Sequence, residues 1–580
     1  MPWCVKFSRI ARETHASAPR HAAQNLIYSH APIANTAPPV ADPKENAFME
    51  KIVSLCKRRG FIYPSSEIYG GINGFWDYGP LGAELKRNVK ELWWQTMTRQ
   101  RDDVVGLEAT IIMSPQIWKA SGHVDTFSDP MIDCKTCQGR FRADQTGEIP
   151  CPQKPSKTVS ECHGEKTAPR AFNLMFQTYV GPVQDASAVA YLRPETAQAI
   201  FAQFKNVLET SRQKVPFGIA QVGKAFRNEV TPRNYTFRSR EFEQMELEFF
   251  IKPDEVVEAI KGRVTPGAEL DTRHPTLDTS SWGWEAWHKY WVAERLAFYE
   301  GIGLPRNTLV EYWQKPEELA HYARATVDIL YKFPFSKRDE QGELTGEELE
   351  GIAARGDFDL SQHERFSGKS MGVFDEELRA AWGKLPKEKQ DELWRRYYEN
   401  RKKYLVKTGV AEGQASKDAT EDANGLAKGQ YLPHVIEPSA GVDRLILALI
   451  CNAYHEDTMP DEKGKLETRV VLQFHPRVAP IKVAVLPLLK NKPELVNKAR
   501  DVRDRLRPHM NVFYDDAGAI GRRYRRQDEA GTPFCVTIDF DTLGEQPQWK
   551  DTVTVRYRDD GKQERLAIGE LLNWLLPKIR

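Results

Sequence analysis

The segment Phe226-Arg227-Asn228-Glu229, continuing to Phe242, Glu246 and Glu248, constrains this chain more than any other. Arg227 and Glu229 are two residues apart, so on a strand they share a face. The polar stretch Thr231 to Arg238 reads as a loop, and the chain then returns as a second strand carrying Phe242, Glu246 and Glu248. Such a hairpin gathers a guanidinium, an aromatic ring and several carboxylates on one sheet surface. Guanidinium grips phosphate with a planar fork of donors, phenylalanine stacks on a base, and carboxylates hold an ammonium group. The combination reads as an ATP site with an amine-bearing second substrate beside it. An amphipathic hairpin with a solvated charged face is the plainer reading of this segment taken alone.

The 580-residue chain has room for several domains. A 41% hydrophobic share against 28% charged places it among ordinary globular proteins, and no apolar run is long enough to cross a bilayer. A formal net charge of +1 excludes a global basic signature, so any RNA contact must come from local patches. The eight cysteines are clustered, unlike a secreted disulfide framework, which points to a reducing compartment.

Residues 1–45 are rich in Ala, Pro, Ser and His, poor in acids, and expected to be disordered. Their arginines are those of an organelle transit peptide; a dispensable extension, or a start upstream of the true one at Met49, is the plainer alternative. A cytoplasmic location is expected, with organelle import through 1–45 as the alternative. A helix follows from Ala47, then a long helix from Ala83 to about Arg99 and a strand near Asp103 to Ile112. The polar insertion at about 128–168 holds Cys134-Lys-Thr-Cys137, a metal-knuckle spacing, with Cys151 and Cys162 eleven apart. Four thiolates make a tetrahedral zinc site, His163 is a substitute ligand, and free thiols are the alternative. Cys56, Cys451 and Cys535 sit in apolar periodic segments and are expected in the core. Residues about 251–430 are long, mixed and charge-rich; within them Lys337 to Glu350 reads as a surface loop. After Pro480 strands alternate with helices, which indicates an α/β domain of about 100 residues. There Arg522, Arg523, Arg525 and Arg526 surround Tyr524 on one helix, a mixture suited to base stacking and phosphate neutralisation or to a solvated helix end.

The hairpin resembles motif 2 of the class II aminoacyl-tRNA synthetases. Glu437-Pro438-Ser439-Ala440-Gly441-Val442-Asp443-Arg444, with the apolar helix Leu445 to Cys451, resembles their motif 3. The segments Gly74 to Gly82, Tyr191 to Gln198 and Gly518 to Tyr524 narrow the likeness to the homodimeric glycyl-tRNA synthetases, from about residue 48 to the end. The resemblance implies an α+β fold. A catalytic domain over 46–475 would carry an antiparallel sheet flanked by helices, with insertions at about 128–168 and 251–430. An anticodon-binding domain with a mixed sheet would occupy 480–580. The implied reaction attaches glycine to tRNA(Gly) with ATP and Mg²⁺, through an adenylate and then transfer to the terminal ribose 3′-hydroxyl.

By the motif match, Arg227 would hold the α-phosphate and the amino acid carboxylate. Arg444 would lie by the γ-phosphate and against the adenine, with Phe242 on the other adenine face. Arg233 would take the β- and γ-phosphates, Glu229 the adenine edge, and Glu437 Mg²⁺ or the substrate amine. Glu195, Glu246 and Ser439 would hold the glycine ammonium, and Arg522, Arg523 and Tyr524 the anticodon. Homodimerisation would run through the 83–112 region, with Trp93 and Trp94 as a large apolar surface, or with one of the two in the core. The tryptophans at 282, 284, 287, 291 and 313 would lie toward the acceptor stem. Rejecting alanine means refusing one methyl group, which a tight, rigid pocket does at about 1–3 kcal/mol. A ligase for serine or proline, and a non-catalytic nucleic-acid-binding relative, are the competing readings.

Overall fold

The computed structural model describes residues 43–580 apart from 148, 271–277, 321 and 461–465. The extension expected over 1–45 lies outside the described residues as far as residue 42, as does Cys4. The frame is a seven-stranded sheet made of β1 (Val104–Gly106), β2 (Phe217–Phe226), β3 (Glu241–Ile251), β4 (Leu309–Trp313), β5 (Ala325–Tyr331), β6 (Glu347–Gly356) and β7 (His434–Gly441). Their order across the sheet is β4-β5-β6-β7-β3-β2-β1. Every pair is antiparallel except β1 with β2. The expected antiparallel sheet is therefore present.

Three of its seven strands, β4 to β6, come from the stretch read as an insertion, so that stretch is in part the sheet itself. The polar run expected to be a loop ends at 346, and β6 begins at Glu347. Glu350 is fully buried there because Arg295 donates to one of its oxygens at 2.7 Å and Tyr299 to the other at 2.5 Å. A buried carboxylate persists when each oxygen has a donor, and sequence composition does not reveal that partner. Trp287 and Trp291 pack on Phe249 of β3 with ring centroids 4.8 and 5.1 Å apart. With Trp282 they build the core behind the sheet, which overturns their placement as a nucleic-acid-facing surface.

The helices that flank the sheet are α1 (Pro43–Arg59), α2 (Pro80–Trp94), α3 (Ala197–Ser211), α4 (Trp284–Gly301) and α5 (Val442–Ala453). Pro80 opens α2 at a position where its missing N–H costs nothing. Leu85, Val89, Leu92 and Trp93 recur on the buried face of that helix. Gly82 is required by close approach: a Cβ there would stand 1.9 Å from the Phe61 carbonyl oxygen. The helix ends in a π-turn, Gln95–Arg99. Trp93 is 1% exposed and belongs to the core, while Trp94 covers Gly106, so neither is a free apolar surface. α5 is buried on almost every side, which accounts for its apolar sequence all round.

The C-terminal domain carries β8 (Val483–Pro487), β9 (Val512–Tyr514), β10 (Phe534–Ile538), β11 (Thr552–Tyr557) and β12 (Gln563–Ala567), with α6 (Pro493–Leu506), α7 (Ile520–Ala530) and α8 (Leu571–Ile579). The order is β9-β8-β10-β11-β12, parallel for the first three strands and antiparallel for the rest. This is the expected mixed sheet. β12 escaped the sequence reading because Gln563, Glu564 and Arg565 mask its alternation. α7 packs on the Leu466–Leu472 strand at the end of the catalytic part. Asp528 on α7, 1% exposed, accepts from Arg469 at 2.8 Å and from Arg556 at 2.8 and 3.1 Å. Arg59 of α1 reaches Glu529 at 2.6 Å. A buried ionic cluster at Asp528 and a partly buried pair at Glu529 thus join the two domains.

Candidate active site

Over the middle of the sheet lies a cavity of about 310 Å³ whose floor comes from β3, β6 and β7. Glu195, Arg227, Glu229 and Phe242 line it, and so do Glu246, Glu437, Ser439 and Arg444. Residues from three separate stretches of sequence therefore meet as the motifs imply. Arg233 does not line it; it stands by Glu347, whose carboxyl is raised by burial against the pull of Arg233. Arg238 is the loop arginine that reaches the cavity. β2 ends at Phe226, so Arg227 and Glu229 project from the bend beyond the strand, not from the strand face first expected.

The floor is built by the even-numbered residues of β3, which share a face. Glu246 stands opposite Ser439 in the β3–β7 register. Ser439 Oγ donates to Glu246 Oε1 at 2.7 Å, and the Thr196 hydroxyl donates to Oε2. Gln244 Nε2 donates to Ser439 Oγ at 3.3 Å, while its carbonyl oxygen accepts the Thr196 amide at 3.2 Å. Glu246 is 2% exposed; burial raises its carboxyl, and the nearby charge of Glu195 raises it further. Burial also acts to raise Glu195, yet His123 at 3.3 Å, with Arg355 and Arg227, holds that carboxyl well below its ordinary range.

A second layer lies beneath. Arg355 grips both oxygens of Glu437 at 2.9 and 2.8 Å and both oxygens of Asp359 at 3.0 and 2.9 Å. Its guanidinium stacks 4.0 Å from the Tyr322 ring centroid. Burial pushes Glu437 up to about 8 despite that arginine. Glu248 is fully buried and neither of its oxygens has a hydrogen-bond partner. Oxygens of Glu246, Glu248 and Glu437 lie within 4.8 Å of one another. Carboxylates so close at the end of a buried cavity make a field that favours a small cation.

The rim is cationic and aromatic. Arg227 donates its Nε to Pro194 O at 3.0 Å and lies 5.3 Å from the Phe242 centroid and 5.5 Å from that of Phe127. Its terminal nitrogens make no hydrogen bond among the described residues. Arg444 lies 4.6 Å over Phe237, donates to Phe237 O at 3.2 Å and to Glu348 O at 3.0 Å, and pairs with Glu348. Glu229 receives Arg238 at 2.7 Å on one oxygen. Thr196, Gln244, His123 and Arg355 are cavity or supporting residues that the sequence reading missed; Glu248 it had placed on one face with Glu246. Period-two alternation about Glu246 pointed to Gln244; nothing local to its sequence marks Arg355.

Two peripheral expectations fare differently. The thiols of Cys134, Cys137, Cys162 and Cys151 form a string, Cys134 meeting Cys137 and Cys162, and Cys162 meeting Cys151. All four are free of disulfides. Cys134 is lowered by the amides of Cys137 and Thr136. At Cys151 burial opposes, and the amides of Gln153 and Lys154 lower it. His163 is exposed to solvent. Cys56, Cys451 and Cys535 are buried in the core as expected. In the C-terminal domain Arg523 is corrected from an RNA contact to a structural residue. It is 1% exposed and donates to the carbonyls of Pro487, Leu488 and Asp515 at 2.6, 3.0 and 3.2 Å. Tyr524 bonds Thr537 at 2.6 Å and packs under Arg556, so its ring is occupied too. Arg522 alone of the three is exposed.

Known families match both parts of the molecule. The family described as tRNA synthetase class II core domain (G, H, P, S and T) matches residues 180–269, which span Glu195, Arg227 and the β2–β3 hairpin. The anticodon binding domain family matches residues 482–578. The glycine–tRNA ligase of Thermobifida fusca is 44% identical over 541 residues, covering 92% of this chain and 98% of that one. That of Treponema denticola is 43% identical over 532 residues, covering 92% and 97%, and that of Streptomyces coelicolor 43% over 541 residues, covering 92% and 98%. With a class II core, a C-terminal anticodon-binding domain and relatives matched over nearly their full length, this chain belongs to the glycine–tRNA ligases.

Proposed function

We propose that the enzyme joins glycine to tRNA(Gly) in two steps, forming glycyl-adenylate from ATP and then esterifying the terminal ribose 3′-hydroxyl. The observation that carries this reading is the acidic cradle of Glu195, Glu246 and Ser439 beside an arginine with unspent donors. Glycine offers an ammonium and a carboxylate with no side chain between them. The ammonium fits between Glu195 and Glu246, and charge-assisted bonds of this kind are the strong class. The carboxylate then points toward Arg227, whose free nitrogens hold it against the α-phosphorus. Attack of that carboxylate oxygen on phosphorus expels pyrophosphate. The protein's share is alignment and neutralisation of developing charge. Adenine takes the space between Phe242 and Arg444, and Arg238 supplies a further cation for the phosphates. The Ser439–Gln244–Thr196 hydrogen bonds stiffen the cradle, which is what exclusion of an added methyl requires.

Mg²⁺ suits the oxygen-only set offered by Glu248 and Glu437, and when bound it neutralises phosphate charge. The four-cysteine string, with amides directed at Cys134 and Cys151, suits a structural Zn²⁺; metal analysis of purified protein before and after chelation tests it, and metal-free protein with unchanged stability sinks it. Assembly as a homodimer through the 83–112 region is supported by β1, an edge strand whose outer backbone groups can pair with a second copy. Sedimentation at nanomolar and micromolar concentrations decides it. The cytoplasm is the proposed place of action; among the described residues no helix is long and apolar enough to cross a membrane.

The decisive experiment is amino-acid-dependent exchange of pyrophosphate into ATP with glycine, alanine, serine and proline in separate reactions. Exchange with glycine alone is expected. Exchange with another amino acid would overturn the roles given to Glu195, Glu246 and Ser439, and no exchange at all would favour a non-catalytic relative.

A further inference from the structure

A second cavity, of about 210 Å³, lies between the end of α2, α4 and the segment leading to β8. It shares no lining residue with the first. Leu92, Thr96 and Met97 form one wall, the last two from the π-turn that ends α2. Such turns occur often at functional sites. Three guanidinium side chains line the cavity: Arg101, Arg295 and Arg477.

Their hydrogen bonding is incomplete. Arg295 is fully buried and pairs through Nε with Glu350, but its two terminal nitrogens have no partner. Arg477 Nε is likewise buried without a partner, and no acid among the described residues pairs with Arg477. Arg101 is held by Asp103 at 2.8 and 2.9 Å and donates to Tyr290 at 2.6 Å; Glu294 is 3.9 Å away. Lys482 lies beside Arg477 and donates to the carbonyls of Pro476 and Arg477 at 2.9 and 2.6 Å. Asp103, Glu294, Glu350 and Glu84 offset the cations here, and burial lowers Lys482 to about 7, yet three buried donor atoms have no acceptor among the described residues. Buried donors in this state are costly unless a further acceptor meets them.

We propose that this cavity binds a small phosphate-type oxyanion, held by Arg295 and Arg477. The planar fork of guanidinium matches such an oxyanion. A cavity of about 210 Å³ has room for a free anion of this kind. The anion ties α4, the turn after α2 and the segment entering the C-terminal domain. It also sits behind β6, because Arg295 shares Glu350 with that strand, and β6 carries Arg355 to the floor of the first cavity.

The test is thermal unfolding of the full chain titrated with inorganic phosphate at constant ionic strength, with chloride as the matched control. Binding to the native state raises Tm in a saturable way. The rise is expected to persist in Arg227→Ala, which removes the other obvious phosphate ligand, and to vanish in Arg477→Met. Thr96→Leu narrows the cavity without changing a charge and is expected to abolish the rise as well, which keeps the test open should Arg477→Met fail to fold. Arg477→Lys keeps the charge and loses the fork, and should weaken the phosphate Kd about tenfold. A phosphate effect no larger than that of chloride overturns the proposal. So does one that survives Thr96→Leu or disappears in Arg227→Ala.

Discussion

The arginines of the catalytic cavity and those of the C-terminal domain differ in what their donors do. Arg227 spends one nitrogen on the protein and leaves two unspent beside aromatic rings and carboxylates. Arg469, which docks on that domain, spends its donors on Asp457, Asp528 and the Arg558 and Asp559 carbonyls; Arg556 spends its terminal nitrogens on Asp528, and the terminal nitrogens of Arg523 meet three carbonyls. Five donors in a rigid fork are expensive to bury unfilled. A filled fork therefore marks an arginine that holds the fold, and an open fork at a cavity marks one that waits for a ligand. Their charge is the same, so the hydrogen-bond inventory is what separates them.

The sharpest way to break this contrast is to remove the acceptor from the filled set. Asp528→Ala leaves Arg556 buried without its carboxylate and Arg469 with Asp457 alone, and should lower stability by about 3–5 kcal/mol. Glycine-dependent exchange per folded molecule should stay unchanged; urea unfolding together with an activity titration gives both quantities. The open fork should behave in the opposite way. Arg227→Ala is expected to lose about 10²–10³ in kcat for pyrophosphate exchange, about 2.7–4 kcal/mol, with its unfolding midpoint unmoved. A variant that unfolds early while retaining exchange would place Arg227 among the structural arginines.

The cradle gives a smaller, pH-dependent effect. Glu195 has a folded-state value below its unfolded one, since His123, Arg355 and Arg227 outweigh burial. Its stabilisation is therefore present above the unfolded value, about 4.3, and is lost as pH falls toward the lowered folded value. Between pH 5 and 3 the wild-type protein should lose about 1–2 kcal/mol more than Glu195→Gln; equal losses in denaturant unfolding at the two pH values would remove this account. The smallest effect belongs to Arg522, the exposed member of the α7 group. Arg522→Ala should leave stability intact and reduce the salt dependence of tRNA binding by a slope of about 1, read from filter binding across a salt series. An unchanged slope would leave the whole helix structural.

The hairpin was legible because its information is local. Alternation along β3 put Phe242, Glu246 and Glu248 on one face before any fold was known, and the short connection fixed its partner strand. Glu437, Ser439 and Arg444 were legible only through the resemblance of their segment to motif 3. Arg355 was not, because its carboxylate partner Glu437 is brought to it by the β6–β7 pairing of strands far apart in sequence. Glu350 was hidden by the polarity of its neighbours: with Glu347 and Glu348 beside it the strand has the composition of a surface loop, and Glu350 is the acid met by a buried arginine and a tyrosine. The α7 arginines failed for the converse reason. Helical periodicity says which residues share a face, but not that β8 carbonyls or the Leu466–Leu472 strand would cover it.

The ionic network at Asp528 also has a consequence for scale. It fastens α7 to the catalytic part, and Arg59 with Glu529 adds a second rivet on the same helix. A joint fastened at two points does not swing, so the span from the carboxylate cradle to the outer face of the terminal sheet is set when the protein folds. The molecule is then a gauge: an RNA that must touch both ends is measured for length before any of its bases is read.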